Sequence, residues 1–515
     1  MHRPDQSPLE RRSAGLLLHP TSLPGPHGAG DIGAKAHAFV QRLAQAKQSW
    51  WQMLPVVVPG RGNSPYATPT AFAGNPQLLD LDALVARGWL AQSDLAHPPP
   101  LDDDRVLFDA AEAHRTGLLR RAHAAFVAGS TADDRAAMSA FETTAAHWLL
   151  DYALFASLAR RFDGASWIHW PSDIRDREPA ALDRARAELA EDIAFEIFCQ
   201  WRFDVDWNAL RDAARTHGVS LLGDLPIFMD VNSADVWANR RLFDLLADGS
   251  PRVVAGVPPD AFSATGQRWG NALYRWDVLA SEGYRWWLDR LASSLARFDA
   301  VRIDHFIGLS RYWEIPVDEP TAIGGRFVPG PGDAFLDTVR RELGTSRIVA
   351  EDLGILTPEV VALRDGFGLP GMRVLQFSFD PGPGGEPFRP HHYPENSIAY
   401  TGTHDNDTSV GWYRALGETD AGRAEQALVR EYAQTDGGGG FHWAFIDVAH
   451  RTASRLAIVP VQDVLGLGTE ARMNRPGTAE GNWAWRMREG SLTDGTLERL
   501  AEATERHTRA PRRDG

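Results

Sequence analysis

Four acids stand where short apolar runs end: Asp224 in LLGDLP, Asp304 in VRIDH, Glu351 in VAEDLG and Asp405 in TGTHDND. In a strand, alternation puts Val301 and Ile303 on one face and Arg302 and Asp304 on the other. Packing the two aliphatic side chains outward leaves an arginine and an aspartate together. A direct charge partner holds a carboxylate ionised, which is what a carboxylate nucleophile requires. Glu351 has the opposite surroundings. It follows Ile348, Val349 and Ala350, and partial desolvation near other acids raises a carboxyl toward the range of a proton donor. Asp352 is its rival, but alternation turns that side chain away. His404, beside Asp405, brings hydrogen-bonding capacity for hydroxyl groups. A nucleophilic acid and a proton-donating acid at one opening form the machinery of retaining glycoside chemistry. A single strand-end acid is better read as a helix cap or an ion-pair partner. Three of them, with an arginine and a histidine at matching positions, point to catalysis.

These acids meet only if a scaffold gathers the strand ends. Eight strand candidates recur: GLLLHPTSL (15–23), WWQMLPVVV (50–58), VSLLGDLPI (219–227), DAVRID (299–304), RIVAED (347–352), RVLQFSF (373–379), SIAYTGTHD (397–405) and LAIVPVQDVLGL (456–467). Helical signals precede several of them. Tyr284, Leu288, Leu291 and Leu295 form one apolar stripe, Thr357-Pro358-Glu359 opens a helix, and His217-Gly218 ends one. This rhythm predicts an α/β fold, a closed (β/α)8 TIM barrel whose chemistry sits at the C-terminal strand ends. About 160 residues separate the second and third strands, far more than a crossover needs. The predicted division is therefore 1–82 for the first two strands, 83–215 for a mainly helical inserted subdomain and 216–505 for the rest of the barrel. The last part carries a loop insertion near 228–280 and elaborated loops at the C-terminal face, and 506–515 reads as a flexible tail. Phe141, Trp148, Tyr152 and Phe155 recur at helical spacing and read as packing residues, as does Cys199.

Composition narrows the partners. The chain has 515 residues, of which 43% are hydrophobic and 23% charged, and its net charge is −15. That balance offers no grip on nucleic acid or an anionic membrane surface. The N-terminal stretch is polar and no apolar run approaches the roughly 18 residues of a membrane span, so a soluble cytoplasmic protein is expected. One cysteine excludes a disulfide framework and any cysteine metal cluster. GAGDIG (28–33) and GLGTEA (466–471) match dinucleotide glycine patterns but lack the surrounding βαβ context. His391-His392 lack a carboxylate at metal-ligand spacing, so neither a metal nor a cofactor is expected. The 18 tryptophans read mostly as packing residues.

The motifs carrying these acids resemble those of the 4-alpha-glucanotransferases called amylomaltases or disproportionating enzymes (glycoside hydrolase family seventy-seven). The resemblance runs from about residue 15 to 487 through HPTSLPGPHGAGDIG, NSPYATPTAFAGNPQLLDL, GDLPIF, VPPDAFSATGQRWGNALYRW, VRIDHFIG, VAEDLG, GMRVLQFSFD, TGTHDNDT and QDVLGLGTEARMNRPGT. It implies that Asp304 is the nucleophile, Glu351 the acid/base and Asp405 the stabiliser of the transition state. By the same resemblance Tyr66, Asp224, Asp260, Gln267, Trp269, Arg302, Asp380, His404 and Asn474 contact substrate. The implied partners are α-1,4-glucans and maltooligosaccharides, with glucose as an acceptor. Two positions depart from the common pattern: Ile307, where many relatives have arginine, and Ala272, where many have proline. Two other activities share the scaffold: an α-amylase-type retaining hydrolase and a non-catalytic glucan-binding protein.

Overall fold

A strand with helices over one face and other side chains over the opposite face is apolar along most of its length, and the eight runs meet that condition apart from a few inward polar residues such as Asp224 and Arg302. The computed structural model describes residues 8–259, 263–478 and 480–511. Its strands are β1 Ser13–Leu17, β2 Trp50–Gln52, β3 Ser220–Leu225, β4 Val253–Val257, β5 Gln267–Ala272, β6 Ala300–Ile303, β7 Arg311–Pro316, β8 Arg326–Pro329, β9 Ile348–Ala350, β10 Gly371–Val374, β11 Ser397–Tyr400 and β12 Leu456–Pro460. In that sequence β1, β2, β3, β6, β9, β10, β11 and β12 close into a barrel, β12 pairing back onto β1. Every pairing in the ring is parallel. The (β/α)8 class and all eight strand positions agree with the sequence reading. The runs overstate strand length, however. WWQMLPVVV pairs within the barrel only over Trp50–Gln52, and RVLQFSF leaves the sheet at Val374 for a 3-10 turn, Leu375–Phe377.

Local signals place the helices against this ring. The stripe Leu291 and Leu295 is buried on the helix Arg285–Arg297, which precedes β6. Gly218 takes φ +70° just past His217, the C-cap of the helix Ala190–Thr216, a left-handed conformation that side chains resist. Gly223, inside β3, admits the Phe298 ring, which would lie 2.3 Å from a Cβ there.

Between β2 and β3 run the helices Phe108–Gly129, Ala132–Thr144, Leu149–Arg161, Pro179–Glu188 and Ala190–Thr216. Trp148, Tyr152, Phe155 and Cys199 are buried there, as packing residues should be. Their apolar cluster is continuous with that of the barrel, so one core serves both. The segment near 228–280 is more than loop. Its β4 and β5 join β7 and β8 in an antiparallel sheet ordered β5-β4-β7-β8, built from the connections that follow β3 and β6.

The expectation of a flexible tail at 506–515 is corrected at Arg509. Its guanidinium is fully buried and donates to the carbonyls of Ser13, His450, Thr452, Ser454 and Arg455 at 2.8–3.1 Å. A basic, polar composition looked solvated, but the arginine fork matches a cluster of carbonyls at the seam between β1 and the approach to β12, three of which it shares with Arg12. Residues 512–515 lie outside the described residues. Among the described residues no helix is long and apolar enough to cross a membrane.

Candidate active site

Barrel register builds the site from its floor. Asp224 of β3 lies directly opposite Arg302 of β6, and both side chains point into the ring. Arg302 Nη1 donates to Asp224 Oδ1 and Oδ2 at 2.7 and 2.6 Å, and Nη2 lies 2.9 Å from Asp304 Oδ1. Nε points at the Met372 sulfur, 3.3 Å away on β10. The guanidinium is therefore shared between two carboxylates. Burial pushes the Asp304 carboxyl up, Arg302 pulls it down, and Asp224, Glu351 and Asp405 push it up again, so its net displacement is upward. The sequence reading, in which Arg302 simply holds Asp304 ionised, is corrected: half of that cation belongs to Asp224. Asp304 is nonetheless the open member of the trio, its side chain 27% exposed against none for Asp224.

Glu351 sits one residue beyond β9. Its Oε2 accepts from the His305 backbone N–H at 2.6 Å and its Oε1 from the Leu353 N–H at 2.9 Å. His305 reaches that position with φ +50°, a left-handed conformation that aims its N–H at the carboxylate. Burial raises the Glu351 carboxyl above its usual range, against Arg302 and the two N–H groups. Asp352 does turn away: it is buried, bonded to Arg364, to Arg373 at 3.2 Å and to the Met372 N–H at 2.7 Å. One acid paired with a guanidinium and another buried beside it, on neighbouring strand ends, is an arrangement suited to separating nucleophile from proton donor.

The third acid stands after β11. Asn474 Nδ2 donates to Asp405 Oδ1 at 2.6 Å, Arg472 holds the Asp405 carbonyl at 2.6 Å, and His404 Nε2 lies 3.3 Å from Oδ1. Burial lowers the His404 imidazole, keeping it neutral and able to hydrogen-bond hydroxyls. Tyr66, from the loop after β2, donates its hydroxyl to Asp224 Oδ2 at 2.7 Å and stacks on His404 with centroids 5.1 Å apart.

Trp269 of β5 packs edge-on against the His305 ring, centroids 4.9 Å apart, and donates Nε1–H to Gln267 Oε1 at 3.1 Å. The antiparallel sheet thus brings Trp269 against His305, the residue that follows Asp304, with Gln267 hydrogen-bonded to Trp269. Asp380 Oδ1 accepts from the Gly382 N–H at 2.8 Å, and no hydrogen bond or ion pair among the described residues joins it to the acids of the barrel mouth. Asp260 lies outside the described residues. Two residues of the site escape the motif reading. His305 was legible only as the neighbour of Asp304, and Trp483 only as one of many tryptophans. Trp483, at φ +64°, lies against Tyr66 and His404 with centroids 5.6 and 5.9 Å away. The reading of His391-His392 as lacking a carboxylate is also corrected, because Glu386 folds back onto both rings.

The family model described as 4-alpha-glucanotransferase matches residues 18–493. A 4-alpha-glucanotransferase of Thermus thermophilus is 47% identical over 506 residues, covering 96% of this chain and 99% of the relative. The chain belongs to the 4-alpha-glucanotransferase family. Another member, from Synechocystis sp., is 43% identical, covering 97% of this chain and 99% of its own. The structure of an amylomaltase from Streptococcus agalactiae in complex with acarbose superposes with a TM-score of 0.93 at 34% identity, covering 97% of this chain and all of the other. Within this glucanotransferase scaffold Asp304, Glu351 and Asp405 occupy one mouth, with Arg302 and Asp224 beneath them and the Tyr66–His404–Trp483 stack as a side wall.

Proposed function

We propose that the protein transfers a segment of an α-1,4-glucan to the 4-hydroxyl of an acceptor glucose or glucan, by retaining double displacement. The observation that carries this reading is the unequal treatment of two acids at one barrel mouth. Asp304 faces the cleft with a guanidinium 2.9 Å away, whereas Glu351 is buried and held by two backbone N–H groups. Asp304 attacks the anomeric carbon of the bound glucan; the C1–O4 bond breaks, and the leaving O4 takes the proton of Glu351. This leaves a β-glucosyl ester on Asp304 and a carboxylate on Glu351. An acceptor 4-hydroxyl then gives its proton to Glu351 while its oxygen attacks C1 and frees Asp304. Two inversions restore the α configuration.

Asp405, fixed by Asn474 and His404, is the proposed partner of the charge that builds on the sugar ring in each step. Arg302 and Asp224 hold the floor in register, and Tyr66 and Trp269 offer aromatic surface to the sugars. Gln267 and Asp380 are assigned to binding on family resemblance, as is Asp260. The names of the relatives support transfer over hydrolysis, which requires that the acceptor and not water reach the ester. The cytoplasm is the proposed setting, since the single cysteine is free and buried and no disulfide holds the loops. Incubation with maltotriose tests the reading. Glucose together with a ladder of oligosaccharides longer than the substrate is expected; products no longer than maltotriose would overturn it.

A further inference from the structure

We propose that Glu386, His391 and His392 form a binding site for one divalent transition-metal ion of the zinc class, separate from the glucan cleft. The three residues lie on the segment between β10 and β11, on two consecutive 3-10 turns, Glu386–Phe388 and Pro390–His392. Pro387 and Pro390 fix φ at the start of each turn, so the relative placement of the side chains is set by stiff backbone. Among the described residues this is the one group of three or more potential ligands whose donor atoms all lie within 4.8 Å of one another.

The distances suit a small tetrahedral ion. Glu386 Oε1 lies 3.3 Å from Nε2 of His391 and 3.3 Å from Nε2 of His392. Ligands about 2.0–2.2 Å from a central zinc-class ion at tetrahedral angles are themselves about 3.3–3.6 Å apart. The donor set, two imidazoles and one carboxylate, is what such ions prefer, and calcium or magnesium would demand more oxygen ligands. The outer contacts also orient the set. Glu386 presents its other oxygen, Oε2, to Arg389 Nε at 3.6 Å. Arg389 is itself buried and tied to the carbonyls of Ser378 and Asp380. His391 Nδ1 meets the Tyr432 hydroxyl, so donation from Nδ1–H to that oxygen leaves the Nε2 lone pair facing Glu386. Metal-bound histidines are held by their second nitrogen in this manner. Three protein ligands leave a fourth position open to solvent, and all three residues are exposed. A bound ion would cross-link the turns and, through Tyr432, tie them to the helix Asp420–Ala433.

The test uses the full-length, untagged protein stripped with a chelator and titrated with cobalt(II) alone, followed by zinc(II) competition. One cobalt per chain is expected, with the intense visible absorption of low-coordinate cobalt, abolished by one equivalent of zinc. His391→Ala/His392→Ala should lose this signal, and Glu386→Gln should weaken it. Tyr432→Phe should weaken affinity by about 10-fold, as loss of an outer-shell partner does. Equal melting curves of the stripped proteins separate lost ligands from lost fold, and Glu386→Gln carries the test if the double variant unfolds. The proposal is overturned if the parent shows no such absorption, or if the variants that fold bind cobalt as the parent does.

Discussion

Replacing Arg302 by methionine removes the cation shared by two acids at the floor of the site while keeping an unbranched side chain against Met372. The size of the effect follows from the geometry. With contacts of 2.6 Å to Asp224 and 2.9 Å to Asp304, the gross attraction at an effective dielectric near 20 is about 6 kcal/mol for each pair. The net loss is smaller, because a stranded carboxyl takes up a proton instead of remaining a bare charge. For an ordinary aspartate at pH 7 that uptake costs about 4 kcal/mol, which sets a ceiling for each acid. Breaking a buried pair by removing one partner costs about 3–5 kcal/mol in general. A loss near 3–4 kcal/mol in transition-state stabilisation lowers kcat/KM by about two to three powers of ten. The assay is glucose release from maltotriose as a function of pH. Burial already lifts the Asp304 carboxyl, and removing Arg302 lifts it further. The nucleophile must be ionised, so residual activity in Arg302→Met should climb with pH across a range where the parent is flat. Stability runs the other way: an acid raised in the folded state stabilises most at low pH, and the deficit should grow as pH rises above about 4. Arg302→Lys, with the charge but not the fork, should fall between the two. A variant within fivefold of the parent, with the same pH profile, would refute the reasoning.

Trp483→Leu removes a wall of the Tyr66–His404 stack; ring pairs contribute about 0.5–1.5 kcal/mol, so kcat/KM on maltotriose should drop up to about tenfold, and an unchanged value would remove Trp483 from the site. Arg509→Ala removes one donor from each of five carbonyls at the barrel seam, of which those of His450, Thr452 and Ser454 keep Arg12 and that of Arg455 keeps the Ser13 N–H. A destabilisation of about 1–3 kcal/mol is expected in urea titrations, and a value below about 0.5 would restore the reading of a dispensable tail. His450 is fully buried, and burial together with the neighbouring Arg509 charge lowers it to about 3. Its contribution is intact above the unfolded value near 6.5 and lost as pH falls, so by pH 5 the parent should lose about 2 kcal/mol relative to His450→Leu. Parallel stability curves for the two proteins between pH 7 and pH 5 would sink that assignment.

Much of the scaffold is legible in the chain because strand formation and alternation are local. Apolar runs locate all eight barrel strands, and a period of two puts Arg302 with Asp304 and separates Glu351 from Asp352. The acids at the strand ends, and hence the class of chemistry, follow from those runs and their order. Tertiary structure decided what depends on closure and register. Asp224 shares the guanidinium of Arg302 only because β3 and β6 are neighbours in the ring. The sheet β5-β4-β7-β8 joins two connections separated by a barrel strand, and no window along the sequence contains both halves. Trp483 becomes a wall of the site, Arg509 a buried seam and Glu386 a companion of two histidines through contacts that composition disguises. Side-chain period is a property of one backbone segment. Which charges meet, and which are buried, is a property of the closed barrel.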